Sequence, residues 1–430
     1  MKIYNAQQLS NEERKRLTTR PSQSATFAND AVQSLCVDIK QRGDAALREY
    51  TQRFDNVLVD EFRVSDQEFS AAQKIVPETF IRSLEVAIKN IRKFHQTQIP
   101  VAQQAETMPG VLCRREPRAI ERVGLYVPAG SAPLPSTVLM LGIPATLAGC
   151  AHIVLCSPPK AGGNVDPYVL VAADALGIRE VYKVGGAQAI AAMAYGTQSI
   201  PKVDKIFGPG NRYVAAAKQF VSNDFDGAAI DMLAGPSEVL VIADEAADPV
   251  VVAYDLISQA EHDPDAQAVL VTTSSVLAET VSSQLQQRAM EFSRREIIFK
   301  SLNNSFALVV GSLDDAVKFS NAYAPEHLVI NTKDADCLVP SIINAGSVFV
   351  GRFAPVTAGD YASGTNHTLP TSGTARWFSG VSAESFMKMV TFQVLTQQGL
   401  KQLEPVLTAF ASAEGLDAHG RAVTSRLKKS

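Results

Sequence analysis

The chain of 430 residues is poor in several features that would have named a function class outright. Its five cysteines (Cys36, Cys113, Cys150, Cys156, Cys337) are odd in number, widely spaced and never arranged as Cys-x-x-Cys, which excludes a disulfide framework and a cysteine zinc site. It lacks a basic surplus: 40 Lys and Arg against 44 Asp and Glu leave a net charge of -4, so nucleic acid is not an expected partner. No apolar run approaches the length of a membrane span. Met1–Ser10 followed by the charged Asn11–Arg16 has no secretory apolar core, and a reducing cytoplasm is the expected compartment. No Gly-x-Gly-x-x-Gly is present, so spacing alone does not establish a dinucleotide site. Histidine is scarce at six residues, and four of the six fall in segments that also carry carboxylates.

What remains is a folded-protein composition, 46% hydrophobic and 20% charged. The length implies roughly two to four domains. Residues 1 to 110 read as helical, with apolar residues at helical spacing over Thr26–Phe54 and Phe80–Phe94. From residue 120 the pattern alternates. Short apolar runs such as Gly124–Pro128, His152–Cys156, Val181–Val184 and Lys205–Phe207 are each followed by a helical run. The alternation resumes after Pro236 with Val239–Ile242, Ala268–Thr272, Ala307–Val310, Leu328–Ile330 and Ser347–Val350. This predicts α/β architecture: two Rossmann-like parallel-sheet units with helical N- and C-terminal extensions. The expected division is an N-terminal helical extension over 1–25, a first α/β domain from 26–125 plus 237–380, a second from 126–236, and a tail over 381–430. The last fifty residues are too few to bury a core alone and must dock elsewhere, on the body or on a partner subunit.

Three segments bring proton-transfer and metal-ligating side chains together: Ser258-Gln-Ala-Glu-His262, Ala324-Pro-Glu-His327 and Gly359-Asp-Tyr-Ala-Ser-Gly-Thr-Asn-His367. Glu414 and His419 form a fourth group in the tail. Gln259 and His262 are three apart on a predicted helix and share a face, although polar residues also decorate helix ends. Asp360 sits in a glycine-containing loop that lets short polar groups approach a ligand, and an ordinary surface loop reads the same way. Glu326 and His327 pair a carboxylate that could activate water with an imidazole suited to taking an alcohol proton. Being adjacent, they could serve one substrate only if the backbone leaves simple strand geometry, since neighbours in a strand point to opposite faces. The four groups together offer nitrogen and oxygen ligands for a borderline metal with acid/base groups to spare. Gly185-Gly-Ala-Gln188 and Gly208-Pro-Gly-Asn211 stand between a strand and a helix, where backbone N–H groups hold phosphates, and Gly130-Ser-Ala-Pro133 follows the Tyr126 strand in the same way.

The ordered set of segments resembles the histidinol dehydrogenase family over residues 20 to 425. The matching stretches are Gly124-Leu-Tyr-Val-Pro128, Val184-Gly-Gly-Ala-Gln-Ala-Ile190, Lys205-Ile-Phe-Gly-Pro-Gly-Asn211, Ala234-Gly-Pro-Ser-Glu238, Gln259-Ala-Glu-His262, Pro325-Glu-His327 and Gly359–His367. The resemblance implies that Gln259, His262, Asp360 and His419 hold one zinc ion per subunit. It makes Glu326 and His327 the catalytic acid/base pair. Ser237, His367 and Glu414 become substrate contacts, joined by Gln259, His262, His327, Asp360 and His419, and Tyr126, Gln188 and Asn211 become NAD contacts in the 126–236 unit. It further implies L-histidinol as substrate, and a homodimer in which the tail carries Glu414 and His419 into the partner's site. Two departures stand out: Leu233 where many relatives have proline, and an apparent insertion at Lys160–Asn164. A zinc and NAD dehydrogenase for another small alcohol, a thiol-dependent aldehyde dehydrogenase and a non-catalytic metal-binding protein are the competing readings.

Overall fold

The computed structural model describes residues 1–20, 29–129, 133–233 and 235–428. The beginning of the helix expected from Thr26, the Gly130–Ala132 turn and Ala234 lie outside the described residues.

Two parallel sheets carry the molecule. One has five strands in the spatial order Glu180–Lys183, His152–Ser157, Arg122–Tyr126, Lys205–Phe207, Ala229–Ile230. The other has six, in the order Lys2–Asn5, Phe306–Val309, Gln267–Thr272, Glu238–Ala243, His327–Asn331, Ser347–Val350. With the N-terminal edge strand set aside, both sheets share one winding. The first strand in chain order lies centrally, the next two run outward on one side, and the last two run outward on the other. Each sheet therefore has a point where the order reverses, between Arg122–Tyr126 and Lys205–Phe207 in one and between Glu238–Ala243 and His327–Asn331 in the other. Crossover helices cover both faces, which is why Glu238–Ala243 and Gln267–Thr272 are buried at every position and read as near-continuous apolar runs.

The expected strands and crossover helices are present, strand Ala229–Ile230 is added, helix Val356–Tyr361 stands where a loop was expected around Asp360, and four further elements differ from the sequence pattern. Lys2–Asn5 is a strand paired with Phe306–Val309 rather than helix. Gln103–Met108 and Val111–Ala119 form a hairpin across Pro109–Gly110, and Met387–Leu395 completes it as a third, antiparallel sheet. Gln103–Thr107 is exposed throughout, so the segment shows no strand-like alternation of apolar residues. The fourth is the helix Arg295–Asn303. The grouping of 26–125 with the 237–380 unit also fails. Helix Asn29–Arg42 packs on helices Gly186–Tyr195 and Arg212–Asn223, and Glu78–Gln96 packs on Pro135–Ala148. These N-terminal helices share the apolar cores of the five-stranded sheet, Ile39 and Leu47 in one cluster with Tyr126 and Ile190, and Ile91 and Leu84 in another with Leu141. The tail ends in helices Gln397–Ala413 and Asp417–Leu427, which pack on each other.

Candidate active site

Glu326 and His327 stand where the six-stranded sheet reverses its order. Helix Leu313–Tyr323 is closed by Ala324 in the left-handed region (φ 52, ψ 67), and Pro325 follows. This turn leaves Glu326 ahead of the strand, and its Oε2 comes within 3.4 Å of His327 Nδ1. Both side chains are buried, at 5% exposure each. The Glu238 peptide holds them: its N–H donates to Glu326 Oε2 at 2.8 Å, and its carbonyl lies 3.0 Å from His327 Nδ1. A carbonyl only accepts, so Nδ1 carries the proton and the neutral ring has its lone pair at Nε2. That nitrogen is buried with no hydrogen-bond partner among the described residues, and stands 3.6 Å from Asp360 Oδ1. Burial pushes the Glu326 carboxyl above the ordinary carboxylate range. Burial alone would push His327 down, but the Glu326 and Asp360 carboxylates outweigh it and hold the imidazole up.

Asp360 comes from the short helix Val356–Tyr361. Gly359 lets that helix close on the sheet, since a Cβ there would lie 2.6 Å from the Phe349 ring. The same ring faces His327, with centroids 6.0 Å apart. Burial raises the Asp360 carboxyl, but His327, His367 and His262 together bring it below its usual value. Those attractions put His262 and His367 within electrostatic reach of Asp360. His367 is held down by burial, and its Nε2 is a second buried nitrogen without a partner among the described residues. Asn366 anchors the loop beside it. The Asn366 amide donates to Met140 O at 2.6 Å and lies 3.2 Å from His95 Nε2, while its Oδ1 accepts the Thr368 N–H at 2.9 Å. His95 Nδ1 is 3.0 Å from Ile91 O, which makes Nε2 the acceptor for Asn366. His95 is fully buried and carries this anchor.

Gln259 and His262 sit at the C-terminal end of helix Pro249–Ala260, whose start is fixed by Asp248 accepting the Val250 N–H at 2.8 Å. Gln259 is 2% exposed, whereas His262 lies just past the helix and is exposed. Arg294 donates to the carbonyls of Glu261 and His262 at 2.8 and 3.2 Å and fixes that turn. Ser237 is half-buried, immediately before strand Glu238–Ala243. Glu414 and His419 are exposed in the tail. Among the described residues no three His, Cys, Asp or Glu side chains converge as a metal site. Gln259, His262 and Asp360 include only two residues of those types. One chain therefore offers an amide, an imidazole and a carboxylate, beside a second imidazole whose buried Nε2 is orphaned, a donor set of the kind a borderline cation takes.

Tyr126, Gln188 and Asn211 gather at the C-terminal edge of the five-stranded sheet, around its reversal point. Tyr126 ends the central strand and its hydroxyl accepts the Gly186 N–H at 3.0 Å. Gln188 Nε2 donates to Asp55 Oδ2 at 3.3 Å. Burial raises the Asp55 carboxyl to about 6 although Gln188 works against it. Asn211 caps helix Arg212–Asn223 by accepting the Tyr213 and Val214 N–H groups at 3.0 and 3.2 Å, so its side-chain oxygen is committed to the backbone. Between them lies Gly208 at φ 128, where any Cβ would collide with Tyr126 O. Asp231 accepts its N–H at 2.8 Å and Lys218 donates to its carbonyl at 2.9 Å. The sequence pattern found these loops because ligand crevices of open α/β sheets lie at the carboxyl ends of strands. Glu326, His327 and Ser237 lie at the amino ends of theirs, where no such rule points. Arg20 and Asp55 escaped the sequence reading altogether, and Glu238 entered it only as the end of a matching stretch, with no role.

Residues 18–427 match the family model described as histidinol dehydrogenase. The histidinol dehydrogenase of Aliivibrio fischeri is 51% identical over 430 residues, covering 100% of this chain and 97% of that protein. That of Xanthomonas euvesicatoria is 51% identical over 428 residues, covering 99% of each. The crystal structure of histidinol dehydrogenase from Elizabethkingia anophelis superposes with a TM-score of 0.94 at 48% identity, covering 99% of this chain and 98% of that one.

Proposed function

The chain belongs to the histidinol dehydrogenase family, and from that premise we propose that it oxidises L-histidinol through L-histidinaldehyde to L-histidine with two NAD+ and one water. The observation that carries the reading is the His327 ring, locked by Glu238 O with a free basic Nε2 beside Asp360, and paired through Nδ1 with a buried carboxylate.

In the first step His327 Nε2 takes the hydroxyl proton as the carbinol carbon loses hydride. In the second, Glu326, made more basic by burial, takes a proton from water adding to the aldehyde. The gem-diol then gives up a second hydride, to a fresh NAD+, together with a proton. The balance is one histidinol, one water and two NAD+ giving histidine carboxylate, two NADH and three protons. Bound nicotinamide supplies the hydride acceptor, and bound zinc supplies a fixed point for the substrate's imidazole and amino nitrogens. Gln259, His262 and Asp360 are the residues of this chain that would hold the zinc. Tyr126, Gln188 and Asn211 line the cofactor crevice in this reading, with Ser237 and His367 facing substrate. A homodimer completes the site with Glu414 and His419 of a second copy. In support, the tail leaves Val406, Phe410 and Leu416 exposed, and Phe353 and Trp377 of the body are exposed as well.

Purified protein with histidinol and NAD+ is expected to form NADH, to stop on chelation and to resume with zinc bound at one ion per subunit. Full activity in thoroughly metal-free protein would defeat the zinc assignment, and no NADH from zinc-loaded protein would defeat the reading as a whole.

A further inference from the structure

The acid/base pair is held by the Glu238 peptide, and Glu238 is held by a residue from the far N-terminus. Arg20 donates from Nε and Nη2 to the two Glu238 carboxylate oxygens, both at 2.8 Å, with the side chains 4% and 3% exposed. The guanidinium lies 3.4 Å over the Tyr323 ring, whose hydroxyl donates to Gln267 Oε1 at 2.7 Å. Arg20 Nη1 donates to Thr18 O at 2.9 Å, and Glu238 Oε1 also accepts the Ser372 N–H at 2.9 Å.

Glu238 is the first residue of its strand. On the side of strand His327–Asn331 the ladder begins one residue later, with Val239 opposite His327. Glu238 therefore has no register partner there, and its N–H and carbonyl go to the side chains of Glu326 and His327. On its other side Glu238 is in register with Gln267, so the ladder holds it on one side only, and the aim of its N–H and carbonyl on the open side depends also on what holds its side chain. Here that is a bidentate fork, which defines direction as well as distance. A buried ion pair contributes little net stability over an apolar pair of like volume, so its specific contribution is geometric.

We propose that Arg20, carried to the site by the N-terminal segment, is a positioning residue for the reaction: by fixing Glu238 it sets the Nδ1–H tautomer and aim of His327 and the orientation of the Glu326 carboxylate. The inference rests on the reading of this site as the oxidising centre. It gives residues 1–20 a role beyond adding an edge strand.

The test measures kcat for histidinol and for supplied histidinaldehyde, histidinol Kd by calorimetry, bound zinc and thermal midpoint. Arg20→Met strands a buried carboxylate, so the double variant Arg20→Met/Glu238→Gln, with no unpaired charge, is made alongside Arg20→Lys, which keeps the charge without the fork. The expected result is a kcat loss of roughly 10- to 100-fold in the double variant for both substrates, with Kd and zinc content unchanged. Arg20→Lys falls between it and the parent. Wild-type kcat in either variant overturns the proposal. So does a kcat loss that merely tracks loss of zinc, of histidinol affinity or of folded protein, which would make the pair structural. Failure of the parent protein to oxidise histidinol would instead defeat the functional reading itself.

Discussion

In the proposed reaction His327 and Glu326 divide the work by what each atom faces. Nε2 is the only imidazole nitrogen left for substrate once Nδ1 is bonded to Glu238 O, so His327→Asn is expected to lower histidinol oxidation by about 10²- to 10⁴-fold. Its oxidation of supplied histidinaldehyde is expected to fall less. Glu326→Gln is expected to show the opposite bias, and steady-state rates on the two substrates separate them. Cys36, Cys150 and Cys156 are arranged for packing, whereas Cys337 is exposed. Burial pushes Cys150 up to about 11 and Cys36 up to about 12, and the fully buried Cys156 is pushed up as well. Thiolate is the reactive form, so neutral-pH alkylation is expected to leave these three unmodified and activity intact, as read by mass spectrometry and NADH formation. Inactivation that follows modification of one of them would revive the thiol-dependent alternative.

Strand ends and helix ends carry every candidate group, and they are where the sequence was most and least legible. Lys205–Phe207 and Ser347–Val350 match their sequence-derived bounds because turn-forming residues close off short apolar runs. The Gln103–Ala119 hairpin was illegible because its pairing partner is 387–395, far away in sequence, and its own residues are polar. Lys2–Asn5 was hidden for the same reason: four residues at a sheet edge carry too little pattern to separate from helix. Among the site residues, the short motifs announced themselves by type, but their supports did not. Arg20 and Glu238 are 218 positions apart, and nothing local marks a pair at that separation. Two tests belong at this scale. Gly208→Ala forces a side chain into the left-handed region and against Tyr126 O, so it is expected to cost about 1–3 kcal/mol in denaturant unfolding and to raise the KM for NAD+. Asp255, on the helix that carries Gln259, is raised by burial to about 6. A carboxyl raised on folding contributes stability below its unfolded pKa and loses it as pH rises through the folded value. Asp255→Asn is therefore expected to be more stable than the parent at pH 7 by on the order of 2 kcal/mol, with the gain gone by about pH 4.

Two sheets of one winding give the molecule two reversal points, one used at its carboxyl edge around Tyr126 and Gly208, the other at its amino edge around Ser237 and Glu326. The connection from Ala229–Ile230 to Glu238–Ala243 is short, so the chain passes directly from one site to the other. In the proposed reading a cofactor crevice and an acid/base pair thus come from separate units of a single chain, and in the proposed dimer the tail of a second copy completes the site. Mixing inactive His419→Asn with inactive Asp360→Asn under conditions that exchange subunits is then expected to restore about a quarter of the parent activity, because half the molecules gain one intact site of two. Continued inactivity would assign each site to one chain. The whole account turns on a single centre carrying the alcohol through two oxidations without release between them. Stopped assays with limiting histidinol and excess NAD+, counting NADH by absorbance and trapping aldehyde with a carbonyl reagent, test this directly. Two NADH per histidinol with histidine as product and no trapped aldehyde is the expected result; one NADH with stoichiometric free aldehyde would contradict it.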